Sequence, residues 1–217
     1  GSVSMVSIPR DLFLYLPGHG MARINTAEGR AGTRLLADTL RYNLGITTHH
    51  YVRINFEGFI SAVDTLGGID IMNERRIVDT CDLQPVEYPA GLQHLDGTSA
   101  LCYARVRKTP SDFDRMRRQQ QIIDAVFEKA VTLHGLASAP ELYSSYAEYV
   151  DTDLTLDAVL HLLPLAVHVV NHPEDIHHYT IAHEHVQTHT VPDTGAMVLL
   201  PVHDAIQLLL EEAFSLR

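Results

Sequence analysis

An α/β fold, a sheet with helices packed on its faces, is predicted by three observations. Short alternating or β-branched segments and segments of helical spacing follow one another along the whole chain. Glycine and proline close them, at Pro9, Pro17-Gly18, Gly45 and Gly67-Gly68. Apolar residues make up 46% of the 217 residues and charged ones 20%, enough for one sizeable core and marginal for two.

Val3 to Ile8 reads as a strand closed by Pro9, and Phe13 to Leu16 as a second, before the Pro17-Gly-His-Gly20 turn. Leu35, Leu36, Leu40 and Leu44 have helical spacing, which predicts a helix over 33–44 stopped by Gly45. His50 to Asn55 alternates as a strand does, and Phe56 to Leu66 is an amphipathic helix stopped by Gly67-Gly68. A strand over 69–72 follows. Residues 73–95 are polar and proline-bearing, and read as an irregular surface excursion. Gly97 to Leu101 reads as a helical turn, and 115–133 as a long helix with Ile122, Ile123, Val126 and Val131 on its apolar side. The tail predicts helices near 140–150 and 155–170, a strand over 176–181 and a last helix over 201–213. No repeat or linker divides the chain, so residues 3–217 read as a single domain.

Charge is distributed unevenly. The net charge is −11, yet six of the 16 Lys and Arg residues fall between 105 and 118. Such a local reversal of sign suits an anion, and the planar guanidinium fork suits phosphate or carboxylate oxygens. A solvated basic helix face would give the same charge run. Tyr103-Ala-Arg105-Val-Arg107, however, reads as the end of a strand with both arginines on one face. After a Thr-Pro-Ser-Asp turn, Arg115, Arg118 and Gln119 share one side of a helix, so two elements converge with positive charge. Ser7-Ile-Pro9-Arg10-Asp11 adds a second pair just past a strand, where open α/β sheets bind ligands; a surface ion pair is the plainer reading.

Several classes are excluded. An acidic chain with one basic patch does not suit nucleic acid as the main partner. No run of about 18 apolar residues spans a membrane. Gly-rich phosphate loops, nucleophile elbows and paired-cysteine arrays do not occur. Nine of the 14 histidines lie from His161 onward, but Val and Thr around His185 and His189 favour a strand, and a surface cluster reads better than a zinc site. Cys81 and Cys102 are compatible with a disulfide or with two buried thiols. Arginines and carboxylates in this combination fit phosphoryl transfer.

Six segments, in order, resemble the LytR–CpsA–Psr (LCP) domain over residues 3–133: Ser7-Ile-Pro-Arg-Asp11, Arg23-Ile-Asn25, His50-Tyr-Val with Phe56-Glu-Gly-Phe59, Val63-Asp-Thr-Leu-Gly-Gly-Ile69, Leu95-Asp-Gly97, and Tyr103-x-Arg105-x-Arg107 followed by Asp112-Phe-x-Arg115-x-x-Arg118-Gln-Gln120. Residues 134–217 match less clearly, as the C-terminal part of the same domain.

The resemblance implies a central mixed β-sheet flanked by helices on both faces. It also implies an extracytoplasmic phosphotransferase that moves a glycopolymer from a polyprenyl-pyrophosphate carrier to a peptidoglycan sugar hydroxyl. Arg10, Arg105, Arg107, Arg115, Arg118 and Gln119 are then the pyrophosphate-binding residues, with Arg107 and Arg115 also catalytic. Asp11 or Asp112 orients the arginines or acts as general base toward the acceptor. A polyprenyl-pyrophosphate-binding module without transferase activity, or a hydrolase of the carrier, is the alternative.

Family members carry magnesium on two aspartates upstream of the Ser-Ile-Pro-Arg-Asp segment and a membrane-anchoring N-terminal helix. Neither lies in this sequence, which starts in mid-strand after a Gly1-Ser2 pair that reads as a cloning scar. N-terminal truncation is therefore expected, with no metal ligand assigned. Sheet edges left open by it would favour a homodimer.

Overall fold

Apolar spacing and turn residues give a mixed α/β structure, described for residues 1–106, 112–134 and 150–215 of a computed structural model. The chain divides into two compact units: a terminal unit of Ser2–Tyr51 with Asp175–Arg217, and a middle unit of Val52–Glu174 with Gly1.

In the terminal unit, β1 (Val3–Ser7) lies parallel to β10 (Ile176–Thr180), with Val3 opposite Ile176 and Ser7 opposite Thr180. β2 (Phe13–Leu16) and β3 (Gly20–Arg23) form a hairpin whose turn needs positive φ at Gly18 and Gly20, 77° and 78°. The helix expected from residue 33 is the second part of α1 (Ala27–Leu44), which breaks at Ala31–Gly32 and ends on Gly45 at φ 71°. β11 (Val186–Thr190) pairs antiparallel with β12 (Met197–Pro201), and α6 (His203–Ser215) closes the unit. Leu12 bridges to Leu199, which joins the β2 region to β12. Leu12, Leu14, Leu16, Ile181 and Ile206 are fully or almost fully buried. Each such side chain contributes about 1.5–3 kcal/mol.

In the middle unit, β4 (Val52–Ile54) pairs antiparallel with β9 (Val150–Thr152). Asn55 caps α2 (Phe56–Thr65) by accepting from the Gly58 N–H at 2.7 Å, and Gly67-Gly68 end it at positive φ. β5 (Ile69–Asn73) pairs with β8 (Gly91–Leu95), and β6 (Ile77–Cys81) with β7 (Gln84–Tyr88), both antiparallel. Three helices complete it: α3 (Gly97–Arg105), α4 (Asp112–His134) and α5 (Leu156–Asn171). Its core joins Val63, Ile69, Ile71, Ile77, Tyr88, Leu95, Ala100, Tyr103, Val106 and Ile122.

Two sequence expectations are corrected here. Residues 73–95 are not irregular, because Ile77, Asp79 and Cys81 alternate inward along β6 and the segment forms β6, β7 and β8. Tyr103 to Arg105 is not a strand end but the last turn of α3, in which Gly97, Ala100 and Tyr103 are buried at three-residue spacing. The helix expected near 140–150 lies outside the described residues. No helix among the described residues is long and apolar enough to cross a membrane.

Candidate functional site

α3 forms because Asp96 accepts from the Ser99 N–H at 2.8 Å, and this bond holds the Asp96 carboxyl below its usual pKa. Its start is pressed against α2: a Cβ on Gly97 would stand 2.3 Å from the Ile60 carbonyl oxygen. The Gly97 N–H donates to Asp64 at 2.7 Å. The Leu-Asp-Gly segment is thus a cap followed by a close helix–helix approach.

The other end of α3 is gripped by α4. Arg118, only 3% exposed, donates from Nε to the Tyr103 carbonyl at 3.0 Å and from Nη2 to the Val106 carbonyl at 2.6 Å. Its guanidinium carbon lies 5.7 Å from the centre of the Tyr103 ring. Burial lowers the Arg118 pKa from its usual value, and Tyr103 and Asp114 oppose that shift. Gln119 adds a bond from Nε2 to the Ala104 carbonyl at 3.4 Å. Behind them the Tyr103 hydroxyl lies 3.3 Å from Asn73 Oδ1, and Asn73 donates to the carbonyls of Tyr88 and Pro89. Tyr88 meets Tyr103 edge to face at 5.1 Å, and burial pushes its hydroxyl up to about 12.

Arg105, between these gripped carbonyls, turns outward. It lies 3.4 Å from Asp82 and 4.7 Å over the Phe56 ring, with its side chain 38% exposed. Asp82 and Leu83 form the two-residue turn of the β6–β7 hairpin, both at positive φ, 48° and 69°. The Cys81–Cys102 disulfide ties the base of that turn to α3, with the Cα atoms 5.7 Å apart. Arg115, 9% exposed, lies one turn before Arg118 on α4. Arg117 points elsewhere, with Nη1 on both Glu74 oxygens at 2.6 and 2.7 Å.

The terminal unit holds a second arginine set. Asp11 lies 3.8 Å from Arg10 and 3.5 Å from Arg23, and Arg23 donates to the Met197 carbonyl at 2.7 Å. The backbone of this loop is fixed as well, since Leu199 N–H donates to Asp11 O at 3.0 Å and Leu12 N–H to Pro9 O at 3.0 Å. Arg10 keeps a side chain 53% exposed.

Of the expected site residues, Arg105, Arg115, Arg118 and Gln119 therefore belong to the middle unit, and Arg10 and Asp11 to the terminal unit. Arg107 and the Asp112 side chain lie outside the described residues. Among the described residues, the one group of three potential metal ligands is Cys81, Asp82 and Cys102. Its sulfurs are joined in the disulfide, so it does not fit magnesium, which takes oxygen ligands. β11 confirms an extended backbone after His185, so His185 and His189 do not share a helix face. In each unit, carboxylates and carbonyls hold the guanidinium groups in place.

Comparison with known proteins gives the family. The model of the LytR_cpsA_psr family matches residues 1–212. The chain belongs to this family. It is 36% identical over 165 residues to the polyisoprenyl-teichoic acid–peptidoglycan teichoic acid transferase TagU of Halalkalibacterium halodurans, covering 74% of this chain and 53% of the relative. To TagU of Oceanobacillus iheyensis it is 33% identical over 167 residues, 73% of this chain and 51% of the relative. The chain thus spans about half the length of these curated relatives. Its fold is similar to that of B. subtilis TagV, with a TM-score of 0.82 and 25% identity over 97% of this chain and 82% of the other.

Within this LytR–CpsA–Psr member, sequence reasoning missed Asp82 and Phe56 as neighbours of Arg105, Tyr103 as a neighbour of Arg118, and Asn73 as a partner of Tyr103. Period-two alternation through Ile77, Asp79 and Cys81 was the available signal for the hairpin that carries Asp82.

Proposed function

We propose that the protein is a cell-wall glycopolymer phosphotransferase that uses a polyprenyl-pyrophosphate-linked glycan as donor and a peptidoglycan sugar hydroxyl as acceptor. The observation that carries this reading is the placement of Arg105 at the end of α3 and of Arg115 on α4, which packs against α3, in a chain of net charge −11. A pyrophosphate needs several guanidinium forks, and arginine supplies bidentate contacts to its oxygens. The TagU relatives, named as transferases of teichoic acid from a polyisoprenyl carrier to peptidoglycan, support the same class.

An apolar wall for the lipid is supported by α5. Its sequence is largely Leu, Val and Ala, yet Val169 is its one buried residue, and Leu160 and Leu162 are 40% and 51% exposed. At ~25 cal/mol per Å² of apolar area, covering such exposed side chains with isoprene units adds several kcal/mol to binding.

In the transfer, the acceptor hydroxyl oxygen bonds to the phosphorus that carries the glycan. The bridging P–O bond of the pyrophosphate breaks, and polyprenyl phosphate leaves with the electron pair. The hydroxyl proton passes to a carboxylate base. The arginines stabilise the charge that develops on the phosphoryl oxygens. The Cys81–Cys102 disulfide favours an extracytoplasmic, oxidising site of action.

Native mass spectrometry with geranylgeranyl pyrophosphate tests the donor. One bound molecule, lost on Arg105→Ala or Arg115→Ala, supports the reading. No binding, or binding that neither change disturbs, refutes it.

A further inference from the structure

The last turn of α3 exposes carbonyls that no later helical N–H can satisfy. α4 takes three of them: Tyr103 and Val106 through Arg118, and Ala104 through Gln119. These carbonyls bracket Arg105. A guanidinium is suited to this task, because its rigid fork donates in two directions and its charge offsets the helix dipole.

Resting on the pyrophosphate reading above, we infer that Arg118 is a positioning residue that acts on the donor through Arg105 and does not touch the pyrophosphate. Three observations separate the two arginines. Arg118 is 3% exposed, whereas the Arg105 side chain is 38% exposed. Arg118 spends Nε and Nη2 on backbone carbonyls at 3.0 and 2.6 Å. Arg105 faces outward onto Phe56 and Asp82, an arrangement that an anion can enter. Arg118 fixes where α3 ends, and the end of α3 fixes the direction in which Arg105 leaves the backbone.

A double-mutant cycle on geranylgeranyl pyrophosphate affinity tests this, with thermal unfolding run beside it to confirm that each variant is folded. Arg118→Lys keeps the charge but loses the fork, and Arg118→Gln keeps a planar donor without the charge; either serves if the other does not fold. Each single change, at Arg118 or as Arg105→Ala, is expected to weaken binding about tenfold. The double variant is expected to bind no more weakly than Arg105→Ala alone. A general loss of stability would not produce that coupling. Losses that multiply to about a hundredfold would mean that Arg118 meets the ligand independently, and would overturn the inference while leaving the functional reading intact. Wild-type protein that binds no pyrophosphate would overturn both.

Discussion

Asp82 stands 3.4 Å from Arg105, held there by a hairpin turn whose base is disulfide-bonded to the helix that carries the arginine. The carboxylate competes with any anion for the same guanidinium. Because the pair is exposed, it is worth about 0–1 kcal/mol. Asp82→Asn should therefore tighten pyrophosphate binding by up to about fivefold, with the difference shrinking at high salt. Calorimetric titration checks this; weaker binding would mean that Asp82 orients Arg105 productively.

The Cys81–Cys102 bond closes a loop with a sequence separation of 21. Restricting the unfolded chain to that extent is worth about 3 kcal/mol. Replacing both cysteines with serine should lower unfolding stability by about that amount in urea titrations, and reducing the wild type should reproduce the loss. Equal stability in both forms would show that the bond constrains nothing the fold does not already hold.

Gly97 carries the contact between α2 and α3. A Cβ there would meet the Ile60 carbonyl oxygen at 2.3 Å and its Cα at 2.7 Å, both backbone atoms that cannot rotate away. Gly97→Ala should push the helices apart at a cost of about 1–3 kcal/mol, seen as a lower melting temperature. An unchanged melting temperature would show that the two helices are free to separate.

Alkaline pH should act through Tyr88. Burial raises its hydroxyl from 10.0 to about 12 in the folded state, so folding favours the protonated form. Its contribution is fully present below pH 10 and is lost as pH rises from 10 through about 12. Tyr88→Phe removes the bond to the Ser99 carbonyl, costing about 1 kcal/mol at neutral pH, and should flatten the alkaline loss. Urea titrations between pH 9 and 12 give the comparison.

The sequence made the end of α2 legible, since Gly67-Gly68 stop it, whereas Asn55, which reads as the end of a strand, caps its start. The β6–β7 hairpin was hidden because its turn residues are Asp82 and Leu83, and leucine at φ 69° carries no turn signal. The last turn of α3 was read as a strand end because Tyr103 and Arg105 fit period two. Burial at 97, 100 and 103 decides for the helix. The basic run was legible from charge alone. Which arginine faces in was not, because an inward Arg118 and an outward Arg105 differ only in the tertiary carbonyls they meet.

The central claim is tested most directly by supplying the purified protein with a polyprenyl-pyrophosphate-linked glycan and peptidoglycan oligomers, and following the phosphodiester-linked product together with polyprenyl phosphate release by mass spectrometry. The account predicts product and polyprenyl phosphate in equal amounts, both dependent on acceptor and both lost on Arg105→Ala or Arg115→Ala. Release at the same rate without acceptor would make the protein a hydrolase, and bound donor that never turns over would make it a carrier-binding module; either result contradicts the account.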